Sequence, residues 1–428
     1  NYTDLADNSG TEVDAVTIGS PVIVDYTAPS ALDALSIETS GNVLADGVTY
    51  YAKQNQSVTV KINAQENLKT SGGVKAGATI GGSTASLNRT DAQNWTVSLA
   101  AMANEPEGPL EVSFQLVDMA GNVSEAFTEA DYSNASNTAI YDKTKPTLGT
   151  FAFVSDKAYT TAGAKDDDVV TLTFVSQDVI QENIMTVKIA NTNATNNATG
   201  VAQSYNYTLT MDENNANHID GVIPISIIVT DLAGNQGDEV THTTLAAQGI
   251  SITYDKVPPG LTELSHTNIT PDNADYSELQ AKEGDQIRFT IRADDDLYFH
   301  ASDNGGPWPK VQIAKRSGTL NDPSLTTVSQ VNSSQYLATY TMDANDDEGI
   351  LEFRVQFLDE VGNAGTAVVA LVGDANQIEY DITNPAINTF TYVSNNPNSN
   401  ALAKVGDRIT VAISTSDEIQ TPIVSIAD

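Results

Sequence analysis

The sequence predicts an all-β chain, an elongated array of tandem β-sandwiches. Three observations predict it. Two unrelated motifs recur together along the chain with one shared period. Between them, apolar residues alternate with polar ones, the period of a half-buried strand. No stretch carries the apolar stripe of a helix three turns long.

The first motif is a Tyr-Asp linker. Tyr141-Asp142-Lys143-Thr144-Lys145-Pro146 recurs as Tyr254-Asp255-Lys256-Val257-Pro258-Pro259 and as Tyr380-Asp381-Ile382-Thr383-Asn384-Pro385. Val24-Asp25-Tyr26-Thr27-Ala28-Pro29 is a fourth copy with its tyrosine displaced. The four aspartates lie 117, 113 and 126 residues apart. The second motif is a turn: Asp118-Met119-Ala120-Gly121-Asn122, Asp231-Leu232-Ala233-Gly234-Asn235 and Asp359-Glu360-Val361-Gly362-Asn363. Asp4-Leu5-Ala6-Asp7-Asn8 has the form of an earlier copy. Two motifs in step are the signature of a repeat, in which each copy is one structural unit.

Strands fill the space between the markers. Leu110, Val112, Phe114 and Leu116 alternate up to the first turn, as do Ile223, Ile225, Ile227 and Val229, and Leu351, Phe353, Val355 and Phe357, before the others. An earlier strand repeats as Val58/Val60/Ile62, Val170/Leu172/Phe174, Ile287/Phe289/Ile291 and Ile409/Val411/Ile413. Four residues after each of these stands an acid: Glu66, Asp178, Asp295 and Asp417. Short strands punctuated by Gly, Asn, Asp and Pro read as sandwiches of about seven strands. The linker sets the expected boundaries: 1–25 the end of one module, 26–142, 143–255 and 256–381 three complete modules, and 382–428 the opening of another. The chain is then expected to be a window on a longer array, with any secretion signal upstream.

Composition narrows the functions. The 428 residues contain 56 acidic and 20 basic side chains, for a net charge of −36. Such a surface repels nucleic acid and anionic membranes and attracts cations. Calcium is the hard divalent ion that carboxylates prefer outside cells, although acidity also serves solubility alone. With no cysteine, thiolate metal sites, thiol catalysis and disulfides are excluded. No apolar run is long enough to span a bilayer. His218, His242, His266 and His300 share no metal-binding spacing, no nucleophile elbow or phosphate-cradling loop is present, and the only tryptophans, Trp95 and Trp308, fall in different modules. An enzyme is not expected.

The linker, the turn and the acid after the second strand resemble the bacterial Ig-like repeats of large calcium-dependent surface adhesins, and are similar to Ig-like modules of prokaryotic S-layer proteins. The resemblance covers essentially the whole chain. It implies Ig-like sandwiches and calcium at the joints. In an Ig-like sandwich the loop after the second strand and the turn before the last strand share a pole, where the chain also enters. That topology groups Asp25 with Glu66, Asp118 and Asn122, Asp142 with Asp178, Asp231 and Asn235, and Asp255 with Asp295, Asp359 and Asn363. Asp381 and Asp417 form part of a fourth set. Crowded carboxylates repel one another unless a cation intervenes, and calcium takes six to eight oxygens of this kind. The structural alternative is that each aspartate and asparagine caps its own turn.

Weaker signals remain. Asp343 to Gly349 resembles the start of an EF-hand loop, but Arg354 stands where a bidentate glutamate belongs, so a solvated acidic turn is expected. Asp166-Asp167-Asp168 reads as solvated edge protection, and the linker tyrosines as packing anchors. Trp308, in the insertion-like Gly305-Gly306-Pro307-Trp308-Pro309, reads as a buried aromatic. Eleven Asn-x-Ser/Thr sequons are scattered along the chain, Asn1 and Asn134 among them. The leading functional expectation is a non-enzymatic, extracellular, cell-surface spacer of an adhesin stalk. Its partners are calcium and neighbouring modules of the same longer chain. A surface lattice contacting neighbouring chains, or an array of carbohydrate-binding modules, is the alternative.

Overall fold

Residues such as Val58, Val60 and Ile62 are stiff at χ1 and suit a pleated surface with one face on a core. In the computed structural model they lie in a strand, and the pattern recurs throughout. The structure describes residues 2–11, 19, 22–30, 32–41, 49–128, 131, 138–157, 162–270, 278–303, 306–372 and 376–426. Sequons Asn1 and Asn134, and Gly305 of the insertion, lie outside them. The chain divides into two units, Asn1–Asp156 with Asp167–Tyr254, and Lys157–Asp166 with Asp255–Asp428. Almost all regular structure is strand. A five-residue helix, His242–Ala246, and two 3-10 turns are among the exceptions.

The first unit opens its strands with β1 (Leu32–Thr39), β2 (Thr49–Ala52), β3 (Val58–Ala64), β4 (Thr79–Ile80), β5 (Ser83–Thr84) and β6 (Ser86–Arg89). There follow β7 (Asn94–Leu99), β8 (Gly108–Pro109), β9 (Val112–Phe114), β10 (Phe127–Thr128) and β11 (Thr138–Tyr141). One antiparallel sheet has the order β1–β3–β7–β6 and a second β10–β9–β4–β5. A small third sheet places β11 between β2, which runs parallel to it, and β8. Ile37, Val60, Ile62, Trp95 and Val97 from the first sheet meet Ile80, Val112, Phe114 and Phe127 from the second in one buried core. This is an Ig-like sandwich: two antiparallel sheets face to face around alternating apolar side chains.

The plan repeats. In the same unit Leu148–Ser155, Val169–Ser176, Ser204–Thr210 and Thr195–Asn196 form the first sheet, in that order, and Thr192–Asn193, Thr186–Ile189, Ile225–Ile228 and Val240–Thr241 the second. In the second unit, Leu261–Asn268, Gln286–Ala293, Gln335–Thr341 and Thr327–Asn332 form the first sheet, and Lys310–Ile313 pairs with Phe353–Gln356 opposite it. Ile387–Ser394 and Ile409–Thr415 make an antiparallel pair with mostly exposed residues.

The linker tyrosines are more than packing anchors. Tyr141, Tyr254 and Tyr380 are fully buried. The Tyr141 hydroxyl donates to Ala103 O at 3.2 Å and the Tyr380 hydroxyl to Asp343 O at 2.8 Å. Burial pushes the Tyr380 phenol up to about 12, so it remains a donor through the neutral range. Tyr380→Phe, which removes only that hydroxyl, is expected to cost about 1 kcal/mol in denaturant unfolding.

Three weaker expectations are corrected. The 343–349 turn is exposed at Asp343, Ala344, Asn345 and Glu348 but not at Asp346, which is wholly buried; its carboxylate pairs with Lys315 Nζ at 2.6 Å and accepts from the Tyr340 hydroxyl at 3.0 Å. Asp168 is buried rather than solvated. Trp308 is half-buried on an added hairpin, His300–Asp303 with Gly306–Trp308, under the Lys310 ammonium 4.4 Å from its ring.

Candidate metal centre

The turn aspartates are buried carboxylates. Asp118 is 1 % exposed, and Asp231 and Asp359 are each 2 % exposed. Each folds back on its own turn. Asp118 Oδ1 accepts from Gly121 N at 2.6 Å and Asn122 N at 2.8 Å. Asp359 Oδ1 accepts from Val361, Gly362 and Asn363 N at 3.0, 2.7 and 2.8 Å. Asp231 Oδ1 accepts from Asn235 N at 2.8 Å. The tight reversal needs a left-handed residue before each asparagine, and Gly121, Gly234 and Gly362 supply φ of 99°, 91° and 92°.

Strand register brings a second acid to each turn. Antiparallel bridges join Leu68 to Asp118, Ile180 to Asp231 and Leu297 to Asp359. Glu66, Asp178 and Asp295 stand two residues before those bridges, at the same end of the sandwich. The linker supplies the third acid. Carboxylate oxygens of Asp25, Glu66 and Asp118 lie within 4.8 Å of one another, and so do those of Asp255, Asp295 and Asp359. The middle set, Asp142, Asp178 and Asp231, does not meet that distance among the described residues. There Asp178 Oδ2 is turned to Thr147 N at 3.3 Å. Asp381 and Asp417 line one depression, together with Glu283 and Glu418.

The charges make themselves felt. Burial first, and then the charges of Asp118 and Asp25, raise the Glu66 pKa. Burial, against a turn hydrogen bond from Thr144, raises Asp142, and Asp231, Glu107 and Asp178 add to the rise. Burial also raises Asp359, with Asp255 contributing, and outweighs the bonds from Asn363. At Asp118 the balance is opposite: burial works upward, but bonds from the Asn122 side chain and the turn backbone hold it low.

The asparagines turn their amide nitrogens to the turn carboxylates and the linker backbone. Asn122 Nδ2 donates to Asp118 Oδ2 at 2.8 Å and to Asp25 O at 3.2 Å. Asn235 Nδ2 donates to Asp231 Oδ2 at 2.9 Å and Asp142 O at 3.0 Å. Asn363 Nδ2 donates to Asp359 Oδ2 at 2.7 Å and Asp255 O at 3.0 Å. A metal takes an oxygen, whereas here the amide nitrogen ties linker backbone to turn carboxylate. Asn122, Asn235 and Asn363 are latches that hold the acids in place.

The donor set fits calcium. Two oxygens sharing one calcium at 2.3–2.6 Å lie at most about 5 Å apart, and both closed triads meet that limit. All donors are hard oxygens. Asp118, with three hydrogen bonds on its carboxylate, retains acceptor capacity.

A further acid escapes the motif reading. Glu107 accepts at Oε1 from Lys143 N and from the Thr144 hydroxyl, both at 2.8 Å. Glu348 accepts at Oε1 from Thr383 N at 3.1 Å and the Thr383 hydroxyl at 2.7 Å. Each clasps the linker that follows its own sandwich. The acids Glu107, Asp220 and Glu348 all stand 11 residues before a turn aspartate, each followed by glycine, so a constant spacing marks them. Glu107→Ala is expected to speed amide exchange at Lys143 and Thr144 several-fold, with little change in melting, because the bonds are exposed.

No family model and no curated protein sequence matches the chain. Solved structures are similar to it at long range. A solved chain from a 1.5-MDa bacterial ice-binding adhesin is 14% identical with a TM-score of 0.37, over 83% of this chain and 100% of that solved chain. The I9–I11 tandem of titin is 8% identical with a TM-score of 0.27, over 81% and 98%. A marsupial T cell receptor is 10% identical with a TM-score of 0.27, over 79% and 99%. Likeness this remote carries no inference about ligand or role. The Ig-like assignment stands on the strand order above.

Proposed function

We propose that the chain is a non-enzymatic spacer of the prokaryotic cell surface, whose sandwiches are fixed to their entering linkers by calcium. The carrying observation is the convergence of linker, loop and turn carboxylates within 4.8 Å, once around Asp25 and once around Asp255. Asp25, Glu66 and Asp118 would hold one ion, and Asp255, Asp295 and Asp359 another. The ion neutralises the crowded acids. Without it, the Glu66 charge costs stability at neutral pH, because its folded pKa is raised, and the cost is relieved only as pH falls through that value. With it, the linker loses freedom against the sandwich, which gives a stiffer array. The asparagine latches and the Glu107 and Glu348 clasps support the same reading, since they also tether linkers. The net charge of −36 suits a soluble surface outside the cell, and no helix among the described residues is long and apolar enough to cross a membrane.

Calorimetric titration of the full chain with calcium, beside small-angle scattering in calcium and in chelator, tests this. Binding heat is expected, one part lost in Glu66→Gln and another in Asp295→Asn, and chelation should broaden the distance distribution. No binding heat, with an unchanged distribution, would contradict the proposal.

A further inference from the structure

Each of the three sandwiches buries a methionine one to three residues beyond the third strand in the order of its first sheet: Met102, Met211 and Met342. The N–H of the next residue points inward at a polar side chain. Ala103 N donates to Glu105 Oε2 at 2.5 Å, Asp343 N to Asp346 Oδ2 at 2.6 Å and Asp212 N to His218 Nδ1 at 2.9 Å. Glu105, His218 and Asp346 are all buried. Each stands 13 residues before a turn aspartate, so they occupy one position of the repeat. Two sandwiches fill it with a carboxylate and the middle one with an imidazole.

The substitution changes what protons do. A carboxylate accepts the bond at every pH above its own titration, whereas an imidazole nitrogen accepts only while it carries no proton. Imidazole is also the side chain that gains its proton just below neutrality. His218 Nδ1 lies 3.1 Å from Asp212 O as well. The matching carbonyls, Ala103 O and Asp343 O, accept the hydroxyls of Tyr141 and Tyr380. A protonated Nδ1 would donate to the Asp212 carbonyl, leave Asp212 N–H without its acceptor, and contest the place that the linker tyrosine takes elsewhere. Tyr254 is the matching tyrosine, and its ring meets the imidazole edge-on at 6.3 Å.

We infer that His218 makes the 211–218 turn, and with it the seating of Tyr254, a proton-operated lock: closed while Nδ1 accepts from Asp212 N and opened when that nitrogen takes a proton, a change that the carboxylates of the matching turns at Glu105 and Asp346 do not offer. The titratable groups around it are Asp212, Glu213 and Asp220 of its own loop, Tyr254, and Asp167 and Asp168, whose backbones bracket Met211. The lock is independent of the cation reading.

Its test is amide exchange by mass spectrometry on the full chain in chelator, corrected for intrinsic rates, from pH 7.5 to 5.5. Peptides covering 205–220 and 250–256 should lose protection as the pH is lowered, by up to about tenfold per pH unit. Those covering 100–107 and 340–348 should not. His218→Gln, whose amide oxygen accepts at any pH, should hold protection throughout, which also separates the effect from His266, buried between Phe289 and Phe353. The same loss in the variant, or none in the native chain, would overturn the inference. If the variant does not fold, ring ¹⁵N shifts of the native chain decide: Nδ1 of His218 should be unprotonated at pH 7.5, and a protonated Nδ1 there would overturn the lock.

Discussion

Asp359→Ala is expected to destabilise the sandwich of residues 261–380 by about 3 kcal/mol and to abolish its response to calcium. The carboxylate is buried and takes three backbone N–H groups and the Asn363 amide. Each buried donor left without an acceptor costs about 1–3 kcal/mol, and the turn can recover part of that by opening to water. Asp359→Asn separates the two effects. It keeps an acceptor for the turn, so the stability loss should be smaller, yet it removes the charge that calcium needs. Hydrogen exchange resolved to residues 261–380, with calcium and with chelator, reads both. A calcium response in Asp359→Asn equal to that of the native chain would remove Asp359 from the ion's ligands.

Asp346→Ala is expected to cost a similar amount, about 3 kcal/mol, with no effect on calcium. Removing one partner of a buried ion pair typically costs 3–5 kcal/mol because the other charge is stranded. The lower end applies because the Lys315 side chain is 15 % exposed and can reach water. Burial works against the Lys315 charge, but its bonds to Asp346 and Tyr340 win and raise its pKa. The sign follows: the stability linked to the Lys315 charge is fully present at neutral pH and is lost as pH rises through that raised value. Replacing both partners, Lys315→Met with Asp346→Leu, should restore the part of the loss due to the stranded ammonium but not the part due to the Tyr340 hydroxyl and Asp343 N–H, which still lose their acceptor. Urea unfolding measures all three. A single-variant cost below about 1 kcal/mol would mean that the pair contributes little.

Much of this was legible because both β-structure and repetition leave periodic marks. The alternation of Val58, Val60 and Ile62 reports a strand with one buried face. The shared register of Asp25, Glu66 and Asp118 with Asp255, Asp295 and Asp359 reports that chain-distant acids hold matching places, and the bridges at Leu68 and Leu297 explain why they meet. The latch made by the asparagine Nδ2 atoms was not legible, because residue type does not say which way the amide faces. Asp346 misled because an acid-rich stretch reads as solvated until its partner is known, and Lys315 is 31 residues away in sequence. The middle triad shows the limit of register: Asp142, Asp178 and Asp231 repeat the spacing, but Asp178 is drawn to Thr147. Glu107 and Glu348 were findable by the spacing argument that exposed the other acids.

The most direct measurement is an anomalous difference map from crystals grown in calcium, recorded at a long wavelength where calcium scatters anomalously. Peaks are predicted among Asp25, Glu66 and Asp118 and among Asp255, Asp295 and Asp359, each within 2.3–2.6 Å of the carboxylate oxygens. Featureless maps at both places, with the three side chains turned apart into solvent, would contradict the account.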